Sequence, residues 1–305
     1  MDLVTKNTPK KQHYVPQFLL RNFAIENTEK LFTFNKQEGR SFPTNVQDSA
    51  SENGFYNIKL SNKKYTLEYK LGNLEVMASQ VISKACEAES VSDFSEDEHK
   101  ILCFFVANLL LRVKRLRMFT SQVNTELVGV LRKVGIESHE VVGFNELNKD
   151  EIKFQHINFL NKELLNLANK FGDKAIGLLR APQNCSFIIS DNPVVMHCYK
   201  PNQFNSRGVS VPSVEIFLPI SKKLCISFLC MDFYYELIEK VAFSNENLVH
   251  NLSYEKSLIE SIQTGEASII TENQVEVVNS LQIMDSWSYI YNDSDNFDFV
   301  KDLIK

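Results

Sequence analysis

Apolar side chains recur at helical spacing through much of the chain up to about residue 172 and in strand-like runs after it, and this switch of period constrains the fold most. Leu71, Leu74, Ala78, Val81 and Ala85 follow at intervals of three and four, which places them on one buried helix face and predicts a helix from about Thr66 to Glu89. Ser95 and Glu98 have capping-box spacing: the serine oxygen takes a first-turn amide and the glutamate reaches back. One helix is expected from there to Phe119 or beyond, apolar around most of its circumference and therefore central. Asn148 and Glu151 repeat the capping signal for a helix closed by Gly172. Strand character then marks Ala175 to Leu179, Cys185 to Ser190, Val194 to His197, Val214 to Pro219, Leu224 to Cys230, Ala267 to Ile270 and Val275 to Val278, with a helix at Ser253 to Gln263. Lys30 to Asn35 and Phe55 to Ile58 read as short strands near the start. The expected class is α+β, a helical first half packed on a mostly antiparallel sheet from the second half.

At 305 residues and 44% hydrophobic, the chain can bury a substantial core. Residues 1–11 are polar and aperiodic and are expected to form a loose arm, followed by one α+β domain over 12–305 whose nearest approach to a boundary is at 172–174. The longest apolar run, Ile101 to Leu111, is interrupted by Asn108 and falls short of the roughly 20 residues of a membrane helix, so no membrane association is expected. The start lacks the apolar stretch of a secretory signal, which makes the cytoplasm the expected location. No two of the ten glycines build a dinucleotide turn or a phosphate loop. None of the six cysteines forms a C-x-x-C pair, and they read as reduced core residues.

Charge is uneven. Residues 1–120 carry 17 basic and 14 acidic side chains, and 121–305 carry 16 and 24, so any polyanion should meet the front half. Arg112, Lys114, Arg115 and Arg117 crowd the expected far end of the third helix, where they could grip phosphates or simply face solvent.

Three further places could carry chemistry. The string Gln12-His13-Tyr14-Val15-Pro16-Gln17-Phe18 sets an imidazole and a phenol ahead of a helix start preset by Pro16. Glu68 and Glu75 lie two turns apart on one side of a helix, about 10 Å along its axis, and could share a divalent cation only by bending toward it. Asp191 follows the apolar run Phe187 to Ile189 and precedes Pro193, so it is either an acid presented at a strand end or a turn residue that accepts backbone amides.

The string KKQHYVPQFLLRNFA, the Glu68 and Glu75 helix and the later FIISDNPVV together resemble the bacterial family known as domain of unknown function 4238, over roughly residues 10–280. The resemblance implies that His13, Tyr14, Pro16, Phe23, Glu68, Glu75, Asp191 and Pro193 occupy the family's typical positions, and that its late-helix arginine is Arg112 or Arg115. It brings no settled activity. The kind of family suggests a role in bacterial defence.

Two readings follow. In the first, the chain is a metal-assisted phosphodiesterase or nuclease: Glu68, Glu75 and Asp191 hold Mg²⁺ or Mn²⁺, His13, Tyr14 and Asp191 do the chemistry, and Arg112 or Arg115 binds phosphate, with nucleic acid meeting Arg112 to Arg117. In the second, the same polar residues form a buried network that orients the N-terminal segment of a non-enzymatic binding or regulatory module.

Overall fold

The computed structural model describes residues 1–60, 62–142, 144–200, 208–244 and 252–304. Strands β1 (Asp2–Leu3) and β2 (Lys11–His13) lead to the short helix α1 (Gln17–Arg21). The hairpin β3 (Lys30–Asn35) and β4 (Arg40–Asn45) follows, then β5 (Ser51–Asn53), β6 (Asn57–Leu60) and β7 (Lys63–Thr66). Long helices come next: α2 (Glu68–Ala88), α3 (Glu96–Arg112), α4 (Lys114–Lys133) and α5 (Lys149–Gly172). The second half holds β8 (Lys174–Arg180), β9 (Ile189–Ser190), β10 (Val195–Cys198), β11 (Val214–Pro219) and β12 (Leu224–Cys230). It continues with α6 (Met231–Ala242), α7 (Ser253–Thr264), β13 (Ala267–Ile269), α8 (Glu272–Asp285), β14 (Tyr289–Asn292) and α9 (Asp298–Leu303). The fold is α+β.

The largest sheet runs β10-β11-β12-β8-β13 and is antiparallel except where β13 pairs parallel to β8. Strands β11 and β12 are buried along almost their whole length, as expected of strands covered on both faces. Helix α7 approaches β8 so closely that a Cβ at Gly177 would stand 3.1 Å from Leu258 Cδ1. There Ser261 Oγ accepts from Leu178 N at 2.7 Å and donates to Leu178 O at 2.8 Å, so the packing also satisfies strand backbone. A second sheet, β4-β3-β14-β9, joins the N-terminal hairpin to the end of the chain, so the front half contributes strands as well as helices. One apolar cluster runs from Tyr14 through the helices and the large sheet to Tyr291.

Both capping boxes form, at Ser95 with Glu98 and at Asn148 with Glu151. The helix expected from Ser95 to Phe119 is instead two, broken at Val113, whose φ of −67° and ψ of 152° are extended. The Leu111 carbonyl, left without a helical partner by the break, accepts from His156 Nε2 at 2.7 Å. Val275 to Val278, expected as a strand, lies inside α8, where Thr271 caps the first turn and Val275, Val278 and Leu281 are buried at a helical interval of three. Of Cys185 to Ser190 only the end is a strand. Side chains of α8 take two of its amides, Asn279 Oδ1 from Ile188 N at 3.0 Å and Gln282 Oε1 from Ser190 N at 3.0 Å, and backbone carbonyls take those of Cys185 and Phe187. The first eleven residues, expected as a loose arm, include β1, which pairs with Tyr65 and Thr66 of β7. Among the described residues no helix is long and apolar enough to cross a membrane. All six cysteines are free.

Candidate functional site

Strand β2 pairs with β5, placing His13 opposite Ser51, and the side chain of Gln12 locks the strand from below. Gln12 is fully buried. Its Nε2 donates to Asn57 Oδ1 at 2.9 Å and its Oε1 accepts from Tyr56 N at 2.6 Å. The opening motif is therefore fixed to the β5–β6 turn, and Tyr56 comes to lie beside the last turn of α3. The side chain of Arg112, 1% exposed, ends that turn and acts as the hub. Its Nε donates to Tyr56 Oη at 3.0 Å, its Nη1 to Asn108 Oδ1 at 3.4 Å, and its Nη2 both to Glu75 Oε1 at 2.7 Å and to the His13 carbonyl. Tyr56 Oη donates to the same carbonyl at 3.1 Å.

A guanidinium this deep is tolerable because an anion and three neutral acceptors surround it. Burial works against its charge, but Tyr56 and Glu75 outweigh burial and raise its pKa. Glu75 is 26% exposed, so the ion pair has an inner cation and an anion that reaches the surface. Glu68 and His13, both partly exposed, lie within the field of this pair. Burial, opposed by Arg112 and reinforced by Glu75, pushes the Glu68 carboxyl up to about 7. Burial lowers the His13 imidazole below its ordinary value, against the pull of Glu75. His13 Nε2 is 3.2 Å from the Gln47 carbonyl. At neutral pH the cluster thus holds an uncharged imidazole and a carboxyl poised to gain or lose a proton.

Of the residues singled out in the sequence, His13, Glu68, Glu75 and Arg112 gather here. Asp191 is turned elsewhere: it is fully buried, Oδ1 accepts from Trp287 N at 2.7 Å, and Oδ2 accepts from Ser288 N at 2.7 Å and Tyr289 N at 3.0 Å. It clips the chain into β14, the amide-accepting alternative. Accordingly, among the described residues no group of three or more His, Cys, Asp or Glu side chains is placed to hold a metal, and the expected set of Glu68, Glu75 and Asp191 is not assembled. Tyr14 is buried with its ring 5.2 Å from that of Phe55, and burial raises its phenol, so it sits in the core and keeps its proton at neutral pH.

The basic run dissolves into separate structural tasks. Arg112 is enclosed and cannot receive a phosphate. Arg115 pairs with Asp285 at 2.9 Å and Lys114 with Glu52 at 2.5 Å. Arg117 is buried, its guanidinium carbon 3.5 Å from the Phe55 ring centre and its Nε donating to His156 Nδ1 at 3.1 Å. The break at Val113 is what sends these four cations in different directions.

Sequence reasoning did not single out Tyr56, Gln12 or Asn108 as parts of a network. Asn108 carried a signal, as the one polar residue inside the longest apolar run. A second network centres on Glu215, the lone charge of β11, which accepts from Tyr199 Oη at 2.6 Å, Tyr254 Oη at 2.5 Å and Ser227 Oγ. Burial raises its carboxyl, and three hydroxyl donors, from β12, from α7 and from the residue that follows β10, satisfy it in place.

No curated protein and no solved structure significantly matches the chain. A family model described as a protein of unknown function, DUF4238, matches residues 11–296. That span takes in both β2, with its histidine, and β14, to which Asp191 is clipped, and the chain belongs to the DUF4238 family.

Proposed function

We propose that the chain is a phosphodiester hydrolase, with nucleic acid as the first substrate to test, and that His13 and Glu68 are its working groups. The observation that carries this reading is the gathering of a partly exposed imidazole and a partly exposed carboxyl around the Arg112–Glu75 pair. His13 is the acid–base group. Glu68 is the carboxylate left to meet a cation, since Glu75 is engaged by Arg112. Mg²⁺ is commonly bound by one or two carboxylates together with substrate phosphates, so Mg²⁺ or Mn²⁺ would enter with the substrate and need no three-residue protein cage. Arg112 and Tyr56 are positioning residues that hold the His13 backbone. Free cysteines fit a cytoplasmic setting, where a nuclease of this kind would serve bacterial defence.

The test combines cleavage with binding. Single- and double-stranded DNA and RNA are incubated with the protein and Mg²⁺ or Mn²⁺, and melting is compared with and without Mn²⁺ for wild type, His13→Ala and Glu68→Gln. Cleavage lost in both variants, with a Mn²⁺ shift lost in Glu68→Gln, is the expected result. Because Glu68 must ionise to hold the ion, the shift should grow as pH rises through about 7. No cleavage and identical melting in all three proteins would favour the second reading, a binding or regulatory module. That reading is supported by how completely the hydrogen bonds of Arg112 turn inward.

A further inference from the structure

On the far side of Asn108 from Arg112's concerns lies a cleft that the reading above does not use. It has a volume of about 590 Å³ and is walled by α2, α3 and α5, with Leu71, Leu74, Ile101, Phe104, Leu160 and Leu164 forming its apolar lining. That volume is in the range of small-molecule sites, which combine apolar walls with a few placed polar groups. Here the placed group is Asn108, which lines the cleft and is 1% exposed. Its Oδ1 accepts from Arg112 Nη1 at 3.4 Å, and a guanidinium can only donate, so the amide orientation is fixed with oxygen toward the arginine. The Nδ2 group is then left buried with no hydrogen-bond partner. Leaving such a donor unmatched costs about 1–3 kcal/mol, and a ligand acceptor would recover that loss.

We infer that this cleft binds a small, mostly apolar molecule carrying one neutral carbonyl oxygen, of the fatty-acyl ester or amide class, with that oxygen accepting from Asn108 Nδ2. Along α3 the lining extends from Asp97 to Asn108, about 16 Å at the helical rise, which suits an extended chain better than a compact ring. The carbonyl is neutral because the nearest buried cation, Arg112, is already matched by Glu75, and an ionised carboxylate would enter the apolar lining against only an uncharged amide. Exposed Lys70 and Lys100, which pairs with Glu96 at 2.6 Å, lie at the outer edge, where a polar end of the ligand would emerge.

The probes are methyl decanoate, undecane and sodium decanoate, each measured by displacement of anilinonaphthalene sulfonate and by the shift in melting temperature of the full chain. The ester is expected to bind about tenfold more tightly than the alkane of similar length, which lacks the acceptor, and more tightly than the carboxylate. Leu164→Trp fills the cleft and should abolish binding of all three, while Asn108→Leu should bring ester and alkane level. Should Asn108→Leu fail to fold, wild type against Leu164→Trp still decides. Failure of every probe to bind, an alkane as tight as the ester, a carboxylate tighter than the ester, or a Leu164→Trp variant that binds like wild type would each overturn the assignment. None of these outcomes depends on cleavage of phosphodiesters, so the inference and the hydrolase reading fail separately.

Discussion

Arg112 and Arg117 lie five positions apart across the break at Val113, both are buried, and their surroundings are opposite. Arg112 is met by a carboxylate, a phenol, an amide and a carbonyl, and its pKa is raised. Arg117 is met by a neutral imidazole and an aromatic face, its Nη2 has no partner, and burial lowers it to about 10. The difference teaches that depth alone does not decide what a buried cation contributes. A guanidinium paired with an anion ties elements together and becomes costly to remove, whereas one without a paired anion has desolvation set against stacking, one hydrogen bond and the weaker pull of Tyr56 and Glu52.

The largest expected effect therefore comes from Arg112→Ala, which strands Glu75 and frees the His13 carbonyl and Tyr56. It should cost about 3–5 kcal/mol by denaturant unfolding. A loss below about 1 kcal/mol would mean that the pair is screened and the hub is not one.

Acid should act through the other side of the comparison. Burial first, then Arg117, hold His156 down at about 4, so the folded protein keeps it neutral while the unfolded chain protonates it near its ordinary value of 6.5. A depressed histidine contributes stability that is present above pH 6.5 and lost as pH falls from there toward 4, here about 3 kcal/mol. His156→Gln, followed by thermal melting from pH 8 to pH 4, should flatten that limb. Arg117→Met is expected to cost less, below about 1.5 kcal/mol, because the loss of the hydrogen bond to His156 is offset by removal of an unpaired buried cation. A cost equal to that of Arg112→Ala would erase the distinction between the two sites.

How much of this was legible beforehand follows from what each signal encodes. Capping boxes are local, and Ser95 and Asn148 start their helices where spacing placed them. The break at Val113 has no local signal, since no proline or glycine stands there. It becomes visible only when His156, 45 residues away, takes the Leu111 carbonyl. Val275 to Val278 is apolar enough for either period, and Thr271 decides it from outside the run. For the site, motif resemblance pointed to His13, Glu68 and Glu75 and left the arginine open between two. In the structure Arg112 is the one that meets Glu75 and the His13 carbonyl, while Arg115 pairs with Asp285. Tyr56 stayed hidden because its part is set by β2 pairing with β5, a contact between strands about forty residues apart.

The smallest effect tests the rim of the Arg112 site. Glu68 is raised to about 7 by burial, with Glu75 adding to the rise and Arg112 opposing it. A carboxyl that prefers its proton in the folded state weakens the fold as pH rises from about 4.5 through 7, because the unfolded chain releases that proton first. Glu68→Gln removes the ionisation and keeps the shape, so it should match wild type at pH 4 and exceed it by less than about 1 kcal/mol at pH 8, the site being partly open to water. The difference between the two unfolding curves should set in near pH 4.5 and level off near the raised value of about 7, and that upper bend marks the titration of the folded state. In an Arg112→Lys background, which retains a charge but not the fork to Tyr56 and His13, that upper bend should stay close to where it was if Arg112 acts on Glu68 by charge alone. An upper bend that moves to higher pH instead would show that guanidinium geometry, and with it the whole His13 anchor, sets the titration of Glu68.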